Sequence, residues 1–218
     1  DNLMNAQVTG IDQNNNPAIS QNVGSLKADG IGSVSIGQAT LNKALPLTSG
    51  GEAHFAVNTD GKDLRLNVKG GGYLHLNNGG TAGEVKLATT TSGKTQLLVS
   101  GGQTQTVIDK VSGADNSYME LVSGVTKINK GLTVSSMNTA AGTELTFGDF
   151  ANGFTLTDEN SVSEFEGNVN VNTGLTNISG TAVFAGQKNF FKNNANLGTE
   201  ASFLNGETVF DSELNAKK

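Results

Sequence analysis

The apolar residues between Val162 and Phe210 fall on a repeating beat. Three stretches share one order of residues: Ser163-Glu164-Phe165-Glu166-Gly167-Asn168-Val169-Asn170-Val171, then Ala182-Val183-Phe184-Ala185-Gly186-Gln187-Lys188-Asn189-Phe190-Phe191, then Ala201-Ser202-Phe203-Leu204-Asn205-Gly206-Glu207-Thr208-Val209-Phe210. Phe165, Phe184 and Phe203 recur at a spacing of 19 residues, each followed within two or three positions by glycine. Leu175 and Ile178, then Leu197, then Leu214 supply a weaker beat between them. Self-similarity at a fixed period near twenty residues predicts a stacked β architecture with one turn of chain per repeat.

The rest of the chain divides around that shaft. Residues 139–218 hold the repeats, introduced by Leu145/Phe147 and Phe154/Leu156 around Asn152-Gly153. Residues 49–138 are expected to form a β-hairpin domain. Polar and apolar residues alternate there in Phe55/Val57, Leu64/Leu66/Val68, Leu74/Leu76 and Val85/Leu87, the period of a half-buried strand. Turn signals separate these runs at Asp60-Gly61, Asn78-Gly79-Gly80, Ser92-Gly93 and Gly101-Gly102, which is why hairpins are expected. A second likeness joins Tyr73-Leu74-His75-Leu76-Asn77-Asn78-Gly79 to Tyr118-Met119-Glu120-Leu121-Val122-Ser123-Gly124, and Gly131-Leu132-Thr133-Val134 completes the second unit.

Residues 1–48 read as an irregular linking or docking segment. Asp12-Gln13-Asn14-Asn15-Asn16-Pro17 is a loop by its own chemistry, since Asn and Asp side chains mimic turns and proline turns its predecessor away from helix. Ile31, Val34, Ile36 and Leu41 allow one or two short strands before Pro46. Helical periodicity is found nowhere except over the closing residues Glu213–Lys218. The expected class is all-β, a hairpin-rich segment followed by β-helical, solenoid-like repeats.

Composition narrows the picture further. Charged residues make up 16% and aromatics 6%, with 29 glycines, 2 prolines and no tryptophan. The glycines lack the spacing of three that collagen requires, and the periodic apolar residues give the chain a core to bury. A net charge of −6, with Arg65 the one arginine, argues against a nucleic-acid footprint. No basic run offers an electrostatic membrane anchor, and no apolar run approaches the ~20 residues that span a bilayer. Absence of cysteine removes disulfides and thiolate metal sites. The opening Asp1-Asn2-Leu3-Met4 points to a processed protein or, as favoured here, a piece of a longer one.

Few residues offer chemistry. His54 and His75 sit at polar positions of alternating strands, where a metal or acid/base pair competes with plain surface exposure, the favoured reading. Asp60/Asp63, Asp158/Glu159 and Glu164/Glu166 are the nearest approach to paired carboxylates, and Glu164 and Glu166 would share one strand face. Calcium in Asp-rich turns is the best of the ligand options, but Gly79-Gly80-Thr81-Ala82-Gly83-Glu84 departs from the glycine-rich calcium repeat in spacing and in its closing Glu. Gly70-Gly71-Gly72 has no following helix to cradle a phosphate, and Asn177-Ile178-Ser179 is one glycosylation-type match in an Asn-rich chain. With 2 tyrosines, and phenylalanines on the repeat beat, aromatic platforms for sugar are scarce. No catalytic, cofactor-binding or metal-ligating residue is assigned, no cofactor is expected, and the chain is read as a non-enzyme.

Ser117–Val134 and Ser163–Val171, with their Tyr-x-x-Leu hairpins, Gly-Leu-Thr-Val and Phe-x-Gly-x-x-x-Val turns, resemble tail-fibre and related appendage proteins of tailed bacteriophages. The likeness covers residues 70–210 and lies in the style of repeat. It implies a β-rich shaft or connector built by three identical chains, sited in the virion and supporting host attachment. The partners it implies are a homotrimer, other virion proteins and, indirectly, the host cell surface, without nucleic acid or membrane insertion. Asn/Gly/Thr-rich passenger domains of bacterial surface adhesins are similar to the same repeats, and imply a single-chain solenoid at the bacterial cell surface.

Overall fold

A computed structural model of the chain describes residues 79–218 throughout and, ahead of them, strand segments whose side chains are placed only at 74–76. In chain order the early strands are β1 (Val8–Ile11), β2 (Pro17–Ser20), β3 (Ser33–Ile36), β4 (Ala44–Leu47), β5 (Glu52–Ala56), β6 (Arg65–Val68), β7 (Tyr73–Asn77) and β8 (Gly80–Leu87). The middle of the chain gives β9 (Thr95–Ser100), β10 (Thr106–Gly113), β11 (Ser117–Ser123), β12 (Val125–Val134), β13 (Ser136–Thr139), β14 (Glu144–Phe147), β15 (Gly153–Leu156) and β16 (Val162–Phe165). The repeats continue through β17 (Asn168–Val171), β18 (Leu175–Ile178), β19 (Thr181–Phe184), β20 (Lys188–Phe191), β21 (Ala195–Leu197), β22 (Glu200–Phe203), β23 (Glu207–Phe210) and β24 (Leu214–Ala216).

Apart from the antiparallel pair β1–β2, every strand pairing among the described residues is parallel. Each strand lies on the equivalent strand one turn away, the signature of a β-solenoid, here of about 7 turns. One sheet runs β3-β5-β7-β9-β11-β13-β16-β19-β22, and a second runs β4-β6-β8-β10-β12-β14-β17-β20-β23. A third face, β15-β18-β21-β24, opens from the far end of β12.

The third face separates into strands of its own at a bulge. Ile108 of β10 pairs with Ile128, but Lys110 pairs with Gly131, so Asn129 and Lys130 together oppose Asp109. Asp109 holds the distortion from below: Asn129 Nδ2 donates to its Oδ1 at 2.9 Å, and Lys130 Nζ lies 3.6 Å from its Oδ2. Val125–Ile128 then carries β14, while Leu132–Val134 carries β15. Between β14 and β15 the bulge has grown into the corner 148–152. From there on, each turn has three short strands instead of two.

The core is a set of columns running along the solenoid. Leu76, Val99, Leu121, Thr139, Phe165, Phe184 and Phe203 occupy successive register positions of the first sheet. Strand periodicity explains this: alternate residues point inward, and parallel in-register pairing puts like positions on top of one another. Phe165 and Phe184 stack with centroids 4.9 Å apart, and Phe184 stacks on Phe203 at 5.3 Å. A second ladder, Phe191 on Phe210 at 5.0 Å, meets the first edge-on through Phe184–Phe191. Burying each such ring contributes about 2–3 kcal/mol, and favourable ring geometry adds about 1 kcal/mol.

Several expectations need correction. The hairpins expected over 49–138 are parallel solenoid turns: β7 pairs with β5 and β9, not with β8. Alternation marks a strand without naming its partner, and the chemistry that turns a hairpin also turns a solenoid corner. Gly79, Gly93 and Gly102 accordingly have φ of 73°, 71° and 59°, while Asp60-Gly61 lies outside the described residues. Strand β13 crosses the boundary expected at 138/139, and both sheets continue through it. Residues 1–48 contain β1 to β4, with Pro46 inside β4 instead of closing the region. The closing residues form β24, not a helix.

Candidate functional site

Among the described residues, two of the surface grooves carry polar side chains that recur from turn to turn along the solenoid axis. The first lies over the third face, where the backbone alternation turns Asn177, Asn196 and Asn215 outward at matching positions of β18, β21 and β24. Asn196 Nδ2 donates to Asn177 Oδ1 at 2.8 Å, and Asn215 Nδ2 donates to Asn196 Oδ1 at 3.1 Å. Glu159, Ser179, Thr199 and Lys217 flank this amide ladder. Asn177, the residue of the glycosylation-type triplet, thus has its side-chain oxygen engaged by the next turn. The spacing of 19 between Asn177, Asn196 and Asn215 is present in the sequence, but an apolar beat marks only the core and leaves outward residues unmarked until the strand pairing is known.

The second groove follows the corner between the first two sheets, with Glu144, Glu166, Asn168, Gln187 and Asn205 along it. Glu166 stands just past the end of β16, in this groove, whereas Glu164 lies within the strand. Both are exposed, as is Glu159. Asp158 sits in the corner after β15, where its Oδ1 accepts a hydrogen bond from Asn160 N at 2.9 Å and closes a turn. Asp60 and Asp63 lie outside the described residues.

The histidines are brought together by the topology: His54 of β5 and His75 of β7 are direct register partners. His75 is half-buried, with its Nε2 2.7 Å from Ser100 Oγ. The glycine-rich run that departs from the calcium repeat lies mainly inside β8, from Gly80 onward, and so forms part of a sheet. Among the described residues, no group of three or more His, Cys, Asp or Glu is placed to hold a metal ion, and no helix is long and apolar enough to cross a membrane.

One aromatic patch combines charge and ring. Tyr118 of β11 sits under the Lys94 ammonium, 4.5 Å from ring centroid to Nζ. Burial, reinforced by the negative charge and hydrogen bonding of Glu120, pushes its phenol up to about 12, against a hydrogen bond from Asn138 that acts in the opposite sense. Neither groove nor this patch joins a nucleophile to a base and an oxyanion donor. Their geometry suits contact along an extended surface.

No family model, no curated protein and no solved structure matches this chain.

Proposed function

We propose that the chain is a structural component of a phage tail fibre or a related virion appendage, a rigid shaft or connector that supports host attachment. The observation that carries this reading is the inner column from Leu76 to Phe203, which keeps one register through successive turns. Such stacking gives stiffness along one axis, which is what a shaft needs.

Assembly as a homotrimer belongs to the same proposal. Leu97, Phe147, Phe154 and Phe184 are fully or almost fully buried within a single chain. Three chains would therefore meet through outer faces, where Val162, Leu175 and Val209 are exposed on the first, third and second faces respectively. Mass measurement in solution tests this. A stable, SDS-resistant trimer is expected, and a rod-like monomer would overturn it.

The self-closed core also favours a second reading, a bacterial cell-surface adhesin or filament subunit built on a single-chain solenoid. The monomer outcome would support that reading.

A further inference from the structure

The β22–β23 corner departs from the two corners stacked beneath it. After Phe165 and Phe184 the glycine comes two residues later, at Gly167 and Gly186. A Cβ at Gly186 would strike the carbonyl oxygen of Gly167, so close backbone approach fixes glycine at that level. After Phe203 that position is Asn205, and the glycine has moved one place on. Gly206 takes φ of 66°, and a Cβ on it would strike Gln187 O. Asn205 is left exposed, directly ahead of a residue with no side chain to shield its amide nitrogen.

We propose that Asn205 is a site of spontaneous deamidation. The Gly206 backbone nitrogen, losing its proton to solvent base, attacks Asn205 Cγ. An N–Cγ bond forms, the Cγ–NH2 bond breaks, and ammonia leaves with a proton from water. Water then opens the five-membered succinimide at either carbonyl, giving aspartate or isoaspartate at position 205. No redox partner is required, and hydroxide and water are the co-reactants. The new carboxylate joins Glu144 and Glu166 along the same groove, so the corner becomes more anionic as the protein ages. Isoaspartate also inserts a methylene into the backbone next to Glu207, whose N–H donates to Gln187 O at 2.9 Å.

Asn152-Gly153 is the internal control that the fold supplies. It has the same two residues, and Asn152 is exposed too. However, Asn152 N–H donates to Lys130 O at 2.7 Å, Gly153 opens β15 in register with Leu175, and the adjacent turn covers its nitrogen so closely that a Cβ on Gly174 would come within 2.8 Å of it. Attack at Asn152 therefore needs local opening of packed strands, which is rarer than motion of an exposed corner. The third such pair, Asn78-Gly79, begins outside the described residues.

The experiment incubates the full chain in mildly alkaline buffer, native and in urea, with isoaspartate labelled enzymatically and located by peptide mass mapping. In the native protein Asn205 is expected to convert several-fold faster than Asn152, and in urea the two rates should converge. The variant Asn205→Ser, which leaves the corner glycine in place, should remove most of the native isoaspartate. An Asn205 amide that persists natively, a rate ratio unchanged by urea, or undiminished isoaspartate in Asn205→Ser would each overturn the proposal.

Discussion

The rings of Phe165 and Phe184 lie one solenoid turn apart with their planes 10° from parallel. Their Cα atoms are register partners across β16 and β19, so backbone pairing and ring stacking repeat at the same interval. Each enforces the other: a slip of one residue in either strand would turn its ring out to solvent.

Removing the central ring should therefore be severe. Phe184→Ala is expected to lose roughly 3–5 kcal/mol of stability in denaturant titration. Phe203, stacked on one side only and 42% exposed, should lose about 1 kcal/mol on the same change. Exposed Glu166→Ala should be close to neutral. Equal losses at Phe184 and Phe203 would contradict the ladder.

Glycine substitutions separate two kinds of corner. At Gly142, with φ of 81° and open space around it, alanine should cost about 1–2 kcal/mol through backbone strain alone. At Gly186 the new methyl meets the Gly167 carbonyl oxygen, so the turns must be pushed apart, at roughly 2–3 kcal/mol. Thermal melts of the two variants give the order directly.

Two asparagines should respond differently to truncation. Asn189 is buried; its Oδ1 accepts from Val169 N at 3.0 Å and its Nδ2 donates to Thr208 Oγ1 at 3.3 Å. Asn189→Ala leaves a buried donor unpaired and should lose about 1–3 kcal/mol, with faster hydrogen exchange at the Val169 amide. Asn196→Ala removes exposed ladder bonds and should lose about 0.5 kcal/mol. An unchanged Val169 exchange rate would contradict this assignment.

Tyr118 makes stability depend on alkaline pH. Its folded pKa is about 12, against an ordinary 10.0. The unfolded chain thus gives up its proton first, and stability present below pH 10 should fall as pH rises towards 12. Because the ring is partly solvated, the loss should reach only about 1 kcal/mol. Tyr118→Phe should flatten this part of the stability–pH profile, and spectrophotometric titration of the phenol reads the pKa itself.

The half of the chain that was legible in sequence is the half whose turns are equal. Phe165, Phe184 and Phe203 fall at one spacing because three short strands and three short corners fill every turn there. In the earlier half, Leu74, Leu97, Met119 and Met137 form an equally regular column, but at spacings of 23, 22 and 18. Unequal corners hid the stacking, and turn dipeptides then suggested hairpins. Even so, the likeness of Tyr73 to Tyr118 was real: both pair with Gln96, from opposite sides. The surface was less legible, since Asn177, Asn196 and Asn215 look like loop formers until parallel pairing places them in line.

The bulge at Asp109 has a mechanical consequence. Below it the third wall is already present as the far ends of longer strands: Val85 of β8 and Val111 of β10 are buried in register beneath Leu132 of β12 and Phe154 of β15. Above it that wall becomes separate strands, joined to the second sheet by the corner 148–152. A sideways load would thus meet one continuous backbone spanning two walls below the junction and a corner between them above it, with Asn129 and Lys130 fastened onto the Asp109 carboxylate at the change.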